Sequence, residues 1–80
     1  MIHVYIIQSL KDKGYYTGIS NNIENRLDKH NKGGVGSTKS RGPFKLVYKE
    51  ECIDYKMARL REKEIKLYKG GNSFKKLIKS

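Results

Sequence analysis

The chain has 80 residues, and 18 lysine and arginine residues against eight aspartate and glutamate residues give it a formal net charge of +10. This length suits one small domain, which we expect to span residues 1–80. No apolar window approaches the ~20 residues of a membrane helix, no signal-peptide pattern opens the chain, and the lone Cys52 fits a reducing compartment. We therefore expect a cytoplasmic protein without a membrane partner. The basic charge favours nucleic acid over the alternative of a merely soluble basic surface.

The first two predicted elements form a hairpin. Ile2–Gln8 is apolar and β-branched, which predicts a strand. Lys11–Gly14 is a turn that ends on glycine, and Tyr15–Ile19 is the returning strand, so the pair is antiparallel. Tyr5 and Tyr16 then lie on adjacent strands and can share a face, although the sequence does not fix the register.

A helix is predicted next. Asn21 or Asn22 is a suitable cap, and the helix extends to about Asn31, before a pair of glycines. Ile23 and Leu27 are four residues apart and share the inward face.

Two polar side chains of this helix border the same inward face. Arg26 and His30 are also four residues apart, which aims both toward the sheet rather than toward water. Taken alone, such residues more often lie at the edge of a core than in a functional site. The remaining polar residues are expected to point away: Glu24, Asn25, Asp28 and Lys29.

The middle of the chain combines a basic loop with a third strand. Residues 33–43 are rich in glycine, serine and basic side chains, a composition that suits a phosphate backbone but is also common in solvated connections. The stretch Phe44–Glu50 alternates in hydrophobicity, which predicts a strand whose one buried face carries Phe44, Leu46 and Tyr48. Tyr48 is most simply a core aromatic.

A long helix and a short helix complete the chain. Asp54 caps the long helix, which is expected to continue to about Lys69 and to end at Gly70. Its predicted apolar stripe consists of Met57, Leu60, Leu67 and Tyr68, widened by Ala58 and Ile65. By this pattern Glu64 lies within the apolar arc, whereas Glu62 lies at the border of the basic face. Ser73 begins the final helix. The order β-β-α-β-α-α indicates an α+β fold.

The residues resemble those of the GIY-YIG nuclease superfamily, in particular its small single-domain bacterial members. The resemblance covers almost the whole chain and rests on motifs in a fixed order. These are Val4-Tyr5-Ile6, Tyr16-Thr17-Gly18, Asn22 with Arg26, Leu27 and His30, Ser37-Thr38, Gly42-Pro43 with Leu46-Val47-Tyr48, Ala58 with Arg61-Glu62-Lys63-Glu64-Ile65-Lys66, and Lys76-Leu77-Ile78. Each motif is unspecific alone, and the full set in order is specific.

The resemblance implies a small three-stranded antiparallel sheet flanked by helices. It also implies a metal-dependent endonuclease that hydrolyses phosphodiester bonds in DNA. Glu62, chosen over Glu64 because its register matches the family, would hold Mg²⁺ or Mn²⁺.

The other site residues carry roles by the same resemblance. Tyr5 would be the general base, helped to lose its proton by nearby cations that include a protonated His30. Tyr16 shares this role or positions the water, and the sequence does not decide between the two tyrosines. Arg26 would neutralise charge on the phosphoryl oxygens. Tyr48 is a weaker candidate for the same catalytic cluster.

Two other functions compete with this one. The first is a catalytically weak or inactive nucleic-acid-binding module on the same scaffold. The second is a small basic interaction protein, which would need an exposed apolar patch that the composition does not suggest. DNA, including branched or structured forms, is the expected partner, with no small-molecule cofactor, and DNA repair is one fitting process. The sequence does not predict the oligomeric state.

Overall fold

Six elements follow one another in the predicted order β-β-α-β-α-α. The computed structural model describes residues 1–32, 42–68 and 71–79, so most of the predicted basic loop and the predicted end of the long helix at Lys69 and Gly70 lie outside the described residues. The elements are β1 (Ile2–Ser9), β2 (Tyr15–Ser20), α1 (Ile23–Asn31), β3 (Phe44–Cys52), α2 (Tyr55–Leu67) and α3 (Asn72–Lys79).

The strands form one antiparallel sheet in the order β2-β1-β3, which confirms the predicted α+β architecture. Because β1 is the central strand and helices cover both faces of the sheet, four consecutive residues of β1 are buried, Val4 to Ile7. A strand with two covered faces needs this continuous apolar run rather than strict alternation.

Each face of the sheet has its own core cluster. On one face Tyr5, Ile7 and Phe44 are buried, with Ile23 and Leu27 of α1 packed against them. On the other face α2 and α3 cover the sheet, and the buried residues there are Val4, Ile6, Ala58, Ile65 and Phe74. We call these the α1 face and the α2 face.

An irregularity in β3 divides its side chains between the two faces. Ile6 pairs with Tyr48 and Ile7 pairs with Leu46, so Val47 is the additional residue of a bulge. Phe44 therefore packs on the α1 face, whereas Tyr48 packs against the core of the α2 face. The prediction that Phe44, Leu46 and Tyr48 share one buried face is wrong for this reason.

Helix α2 is rotated relative to its predicted orientation. Ala58 and Ile65 are fully buried. Met57, Leu60 and Leu67 are exposed instead of facing the core. The small side chain of Ala58 allows the helix to approach the sheet closely. Arg61 then lies on the inner side of the helix, because Glu50 of β3 accepts a hydrogen bond from its Nε at 2.9 Å.

Both predicted helix caps are present in the structure. The side chain of Asn22 accepts a hydrogen bond from the Asn25 backbone N–H at 3.0 Å, and that of Asp54 accepts one from Met57 N–H at 2.9 Å. Between the two asparagines considered for α1, Asn22 is thus the cap.

Candidate active site

Tyr5 rises from the centre of the sheet on the α1 face and is 1% exposed. It pairs with Gly18 of the edge strand β2, and its ring passes directly over that glycine. A Cβ atom placed at residue 18 would lie 2.5 Å from Tyr5 Oη. Gly18 is therefore required so that the Tyr5 hydroxyl can reach past the edge strand, which gives the glycine of the Tyr16-Thr17-Gly18 motif a steric explanation.

His30, at the end of α1, meets both tyrosines of the hairpin. It is buried, and its Nε2 lies 3.0 Å from Tyr5 Oη. The His30 ring packs edge-on against the rings of Tyr16, at 4.9 Å between centroids, and Phe44, at 5.9 Å. The structure thus brings together Tyr5, Tyr16 and His30, which the sequence placed on three separate stretches.

Asn31 and Phe44 hold His30 in place, and the sequence analysis gave neither of them a role in the site. Asn31 follows His30 directly, and its Oδ1 accepts a hydrogen bond from the Phe44 backbone N–H at 2.6 Å. Its Nδ2 donates to the Phe44 carbonyl at 3.4 Å. This pairing joins the end of α1 to the start of β3 and sets the Phe44 ring against the imidazole. No sequence pattern marks Asn31, because an exposed asparagine at a helix end is ordinary.

The Tyr5–His30 pair is neutral near pH 7. Burial raises the pKa of Tyr5, against the lowering effect of a hydrogen bond and the charge of Arg26. Burial, reinforced by the Arg26 charge, lowers the pKa of His30. These directions give no support to the expectation that a protonated His30 helps Tyr5 to ionise, since the same burial and the same arginine disfavour the imidazolium. A neutral imidazole that carries its proton on Nδ1 accepts a hydrogen bond from the Tyr5 hydroxyl at Nε2.

Arg26 lies one helical turn before His30 and is partly buried beside Tyr5. Its Nε is buried and has no hydrogen-bond partner among the described residues. An unpaired buried donor is unfavourable in a protein unless something else accepts from it. The guanidinium fork of arginine matches the oxygens of a phosphate, so this position suits an anion.

A groove of about 260 Å³ opens next to Arg26. Amide, hydroxyl and basic side chains dominate its lining, and none of the lining residues is acidic: Ile19, Ser20, Asn21, Asn22, Asn25, Arg26, Lys29 and Tyr55. Asn25 and Lys29, which were expected to point away, thus share a surface with Arg26. Lys29 is three residues from Arg26, a spacing that places both on one side of a helix and that would have identified it. A phosphate backbone fits such a groove.

Glu62 lies on the inner side of α2, unlike Glu64. The Glu62 side chain is 23% exposed, and its charge contributes to the raised pKa of Tyr5. The Glu64 side chain is 56% exposed and is paired with Arg61. The helical-wheel preference for Glu64 as the inward carboxylate is wrong, because α2 presents a different face to the sheet than its apolar pattern suggests. Lys66 Nζ lies 3.4 Å from Glu62 Oε2.

Tyr48 does not join this cluster, contrary to the sequence-based expectation. It packs on the α2 face, on the opposite side of the sheet from Tyr5. Its hydroxyl donates a hydrogen bond to Glu50 Oε1 at 2.7 Å, and the same oxygen accepts from Arg61. The bulge at Val47 is the physical cause, since it reverses the direction of the following side chains.

The described residues hold no group of three or more His, Cys, Asp and Glu side chains that could by itself hold a metal ion. A site built on one carboxylate remains compatible with Mg²⁺, which keeps several waters and takes phosphate oxygens as ligands. Glu62 is partly buried, reaches Tyr5 electrostatically and pairs only loosely with an exposed lysine. Its environment therefore fits such a cation. None of the helices in the described part of the chain is long and apolar enough to cross a membrane.

The fold and the clustered tyrosines, histidine and arginine agree with one class of domain. The chain belongs to the GIY-YIG catalytic domain family, whose model matches residues 1–75, and this is a family of nuclease type. Its relatives include the UPF0213 protein CPE1444 of Clostridium perfringens, which is 46% identical over 67 residues, covering 82% of this chain and 71% of that protein.

Two further relatives extend the comparison. The UPF0213 protein DP2720 of Desulfotalea psychrophila is 46% identical over 65 residues, which cover 79% of this chain and 58% of that protein. The solution NMR structure of the UPF0213 protein BH0048 from Bacillus halodurans superposes with a TM-score of 0.58 at 31% identity. That match covers 99% of this chain and 84% of the other, and it confirms the predicted fold.

Proposed function

We propose that this chain is a metal-dependent endonuclease that hydrolyses phosphodiester bonds in DNA. The observation that carries the proposal is the buried, hydrogen-bonded Tyr5–His30 pair beside the Arg26 Nε, which has no hydrogen-bond partner among the described residues. A phenol and an imidazole in hydrogen-bond contact can move a proton, and an unpaired guanidinium N–H can bind a phosphate oxygen. A module that only binds DNA needs the second feature but has no use for the first.

The proposed order of proton transfers agrees with the raised pKa of Tyr5 and the lowered pKa of His30. Because burial raises the pKa of Tyr5, the resting phenol holds its proton and cannot act as a base unless it gives that proton away. His30, neutral and 3.0 Å distant at Nε2, accepts it while Tyr5 Oη takes the proton of the attacking water. One proton then moves from water to Tyr5 and another from Tyr5 to His30, which leaves an imidazolium.

Tyr16 remains the alternative base. It is half-buried, and its ring contacts the same imidazole edge-on. Its greater exposure makes the approach of water easier than at Tyr5, whereas Tyr5 has the direct hydrogen bond to His30. We assign the base role to Tyr5 and the positioning of water to Tyr16.

Arg26 binds the substrate phosphate and stabilises the charge that builds up on its oxygens. The basic groove that it shares with Lys29 continues the contact along the nucleic-acid backbone. The Arg26 charge has a second effect, because it opposes the protonation of His30 and so keeps the imidazole available as a proton acceptor.

Glu62 is the residue that would hold Mg²⁺ or Mn²⁺. A divalent cation bound there would act as a Lewis acid on the phosphate and stabilise the leaving oxygen. The carboxylate also keeps negative charge near Tyr5, which would repel a phosphate unless a cation lies between them. This electrostatic conflict is the physical reason for proposing a metal at Glu62 rather than a purely protein-based site.

The test compares the native chain with Tyr5→Phe and Glu62→Gln on plasmid, branched and single-stranded DNA, with Mg²⁺, Mn²⁺ or chelator. We expect metal-dependent cleavage by the native chain and a loss of at least about 100-fold in both variants. DNA binding should persist in each. Glu64→Gln, on the exposed side of the same helix, is the matched control and should cleave normally.

Three results would refute parts of the proposal. Binding without cleavage by the native chain on every substrate would favour the inactive binding module. Cleavage that survives in Glu62→Gln but not in Glu64→Gln would move the metal to the outer carboxylate. Full activity in Tyr5→Phe combined with loss in Tyr16→Phe would exchange the roles of the two tyrosines.

A further inference from the structure

Tyr55, the first residue of α2, lines the groove beside Arg26. It is the aromatic side chain among the described residues of this groove, whose other members are mainly amides, hydroxyls and basic groups. The tyrosine is 44% exposed, and it belongs to neither of the two core clusters. The proposed mechanism of cleavage gives this ring no role, so its place in a polar groove calls for a separate explanation.

A cation lies next to the Tyr55 ring. The guanidinium carbon of Arg59, one turn later in α2, is 5.9 Å from the centre of the ring. Proteins that bind nucleic-acid strands combine aromatic rings with arginines in this way. Asp54, the residue before Tyr55, is absent from the groove lining, and its carboxylate caps α2 by accepting from the Met57 N–H. The surroundings of the ring in the groove are therefore basic.

The same groove holds a position for a phosphate. Arg26 Nε is buried and has no hydrogen-bond partner among the described residues, and Lys29 lies beside it in the lining. A strand whose phosphate is bound there also brings its bases to the groove, because each base is attached to the same backbone. A phosphate has no use for an aromatic surface, whereas the flat face of a nucleobase stacks on one. The ring and the arginine together thus match a whole nucleotide.

The side of α2 that carries Tyr55 also carries Glu62. These residues are seven positions apart, which is about two helical turns, so they lie on one side of the helix and about 10 Å apart along its axis. Successive nucleotides of a stacked strand are about 3.4 Å apart. A base on Tyr55 would then belong to a nucleotide about three positions from the bond next to Glu62. The ring is therefore close enough to position the strand for the proposed reaction.

We propose that Tyr55 stacks on a nucleobase of the DNA strand whose phosphate Arg26 binds. The base must have a free face, as in an unpaired nucleotide or at the end of a strand, because neighbours cover both faces of a base inside a duplex. Its identity matters little, since every base has a π face. The inference rests on the proposed binding of DNA at Arg26, and it does not depend on cleavage.

The experiment compares two single-stranded oligonucleotides that have the same number of phosphates. One carries ordinary bases, and the other has abasic residues throughout its central part. Both carry a terminal dye, and chelator prevents cleavage while fluorescence anisotropy measures affinity. We expect the native chain to bind the base-bearing oligonucleotide about tenfold more tightly, which corresponds to about 1.4 kcal/mol. In ¹H spectra, the ring protons of Tyr55 should move upfield on binding, as protons do when they lie over a base.

Two substitutions at the same position separate the ring from its hydroxyl. Tyr55→Leu should lower the affinity for the base-bearing oligonucleotide about tenfold, to that of the abasic one, and should leave binding of the abasic oligonucleotide unchanged. Tyr55→Phe keeps the ring, is the matched control, and should bind as the native chain does. Thermal unfolding of both variants checks that the fold is retained, as expected at an exposed position. The comparison of the two oligonucleotides on the native chain needs no variant.

Four outcomes would overturn the inference. Equal affinity of the native chain for the two oligonucleotides would show that the groove binds backbone alone, and would leave the proposed cleavage of DNA unaffected. Equal losses in Tyr55→Leu and Tyr55→Phe would replace stacking by a hydrogen bond from the hydroxyl. Weaker binding of both oligonucleotides by Tyr55→Leu, together with a lower unfolding temperature, would give the ring a structural role. Binding of neither oligonucleotide by the native chain would contradict the proposed binding of DNA as well.

Discussion

Tyr5 must satisfy two requirements that conflict in most proteins. Its ring belongs to the core of the α1 face and is 1% exposed, yet in the proposed reaction its hydroxyl has to reach a substrate. The absence of a side chain at Gly18 resolves the conflict, because the phenol extends across the glycine toward the edge of the sheet. At the scale of single residues, the position of the Tyr5 hydroxyl depends on this glycine.

Gly18→Ala tests the steric role of the glycine. A Cβ atom at 2.5 Å from Tyr5 Oη must displace the phenol, and overpacking of this kind costs about 1–3 kcal/mol of unfolding free energy. A displacement of the hydroxyl should lower the cleavage rate by about 100-fold. Urea denaturation and plasmid cleavage measure the two effects.

The control for this substitution is Gly42→Ala. A Cβ atom at residue 42 would meet its nearest neighbour, the Asn31 carbonyl oxygen, at the ordinary distance of 3.9 Å. This variant should retain both stability and cleavage. If Gly18→Ala cleaved DNA at the native rate, the path of the Tyr5 hydroxyl across residue 18 would have no bearing on activity.

The protonation of His30 predicts how stability depends on pH. Burial lowers the folded-state pKa of His30 below its ordinary value of 6.5. At pH values between the folded-state pKa of His30 and 6.5, the unfolded chain binds a proton that the folded chain does not. The free energy of unfolding therefore falls as the pH decreases through this window. The free energy of unfolding should therefore be fully retained above pH 6.5 and decrease below it.

Urea denaturation across this pH range, with the two histidines compared, checks the assignment. His30→Gln should lose much of the pH dependence below pH 6.5. His3→Gln replaces the other histidine of the chain and should keep it. The same dependence in both variants and in the native chain would show that His30 is not the group responsible.

At the scale of elements, the sequence predicts which segments form but not always how they are rotated. Order, type and approximate bounds of all six elements follow from local signals such as the Asn22 and Asp54 caps and the continuous apolar run of β1. The hairpin also places Tyr5 and Tyr16 on one face. The elements and their caps are local features that the sequence predicts, whereas the register that puts the two tyrosines on one face comes from the structure.

The orientation of α2 shows where such prediction fails. The helix has two apolar sides, and its larger residues, Met57, Leu60 and Leu67, lie on the outer one. The hydrophobic pattern of the sequence favours these larger residues as the side of the helix that faces the core. The inner side is fixed instead by the small Ala58 and by the pairing of Arg61 with Glu50, and these contacts are long-range. The choice of Glu62 over Glu64 depended on the family resemblance for this reason.

The pairing of Arg61 with Glu50 predicts the strength of the link between α2 and β3. Arg61→Met would leave Glu50, whose side chain is 25% exposed, with the Tyr48 hydroxyl as a donor but without its cation. The expected loss is about 1–3 kcal/mol of unfolding free energy, since the charge of a poorly solvated carboxylate is left uncompensated. The midpoint of urea denaturation measures this change, provided that the dependence of the unfolding free energy on urea concentration is the same in both proteins.

Two comparisons separate the ion pair from general effects on the helix. Lys63→Met removes an exposed cation from the same helix and should change stability by less than about 0.5 kcal/mol. Adding Glu50→Gln to Arg61→Met should recover part of the loss, because the unpaired charge is removed. Equal destabilisation by Arg61→Met and Lys63→Met would contradict the role given to the pair.

At the scale of the whole molecule, basic side chains of the described residues lie on at least two separate surfaces. One is the groove beside the candidate active site, with Arg26 and Lys29, and the other is the outer side of α2, with the exposed Lys56 and Lys63. Net charge alone does not distinguish these surfaces, because it attracts any polyanion. Their neighbours do: amides and hydroxyls surround the first, which suits a phosphate backbone, whereas exposed apolar side chains and the carboxylate of Glu64 lie beside the second.

The dependence of DNA affinity on salt tests this division of the charge. Each phosphate neutralised by the protein contributes about −0.9 to the slope of log affinity against log salt concentration. Lys29→Gln, in the groove, should reduce the slope by about one. Lys56→Gln and Lys75→Gln, both away from the groove lining, should leave it unchanged. Fluorescence anisotropy in the Glu62→Gln background, with chelator present, measures binding without cleavage. A smaller slope for Lys56→Gln than for Lys29→Gln would instead place the DNA backbone along the outer side of α2.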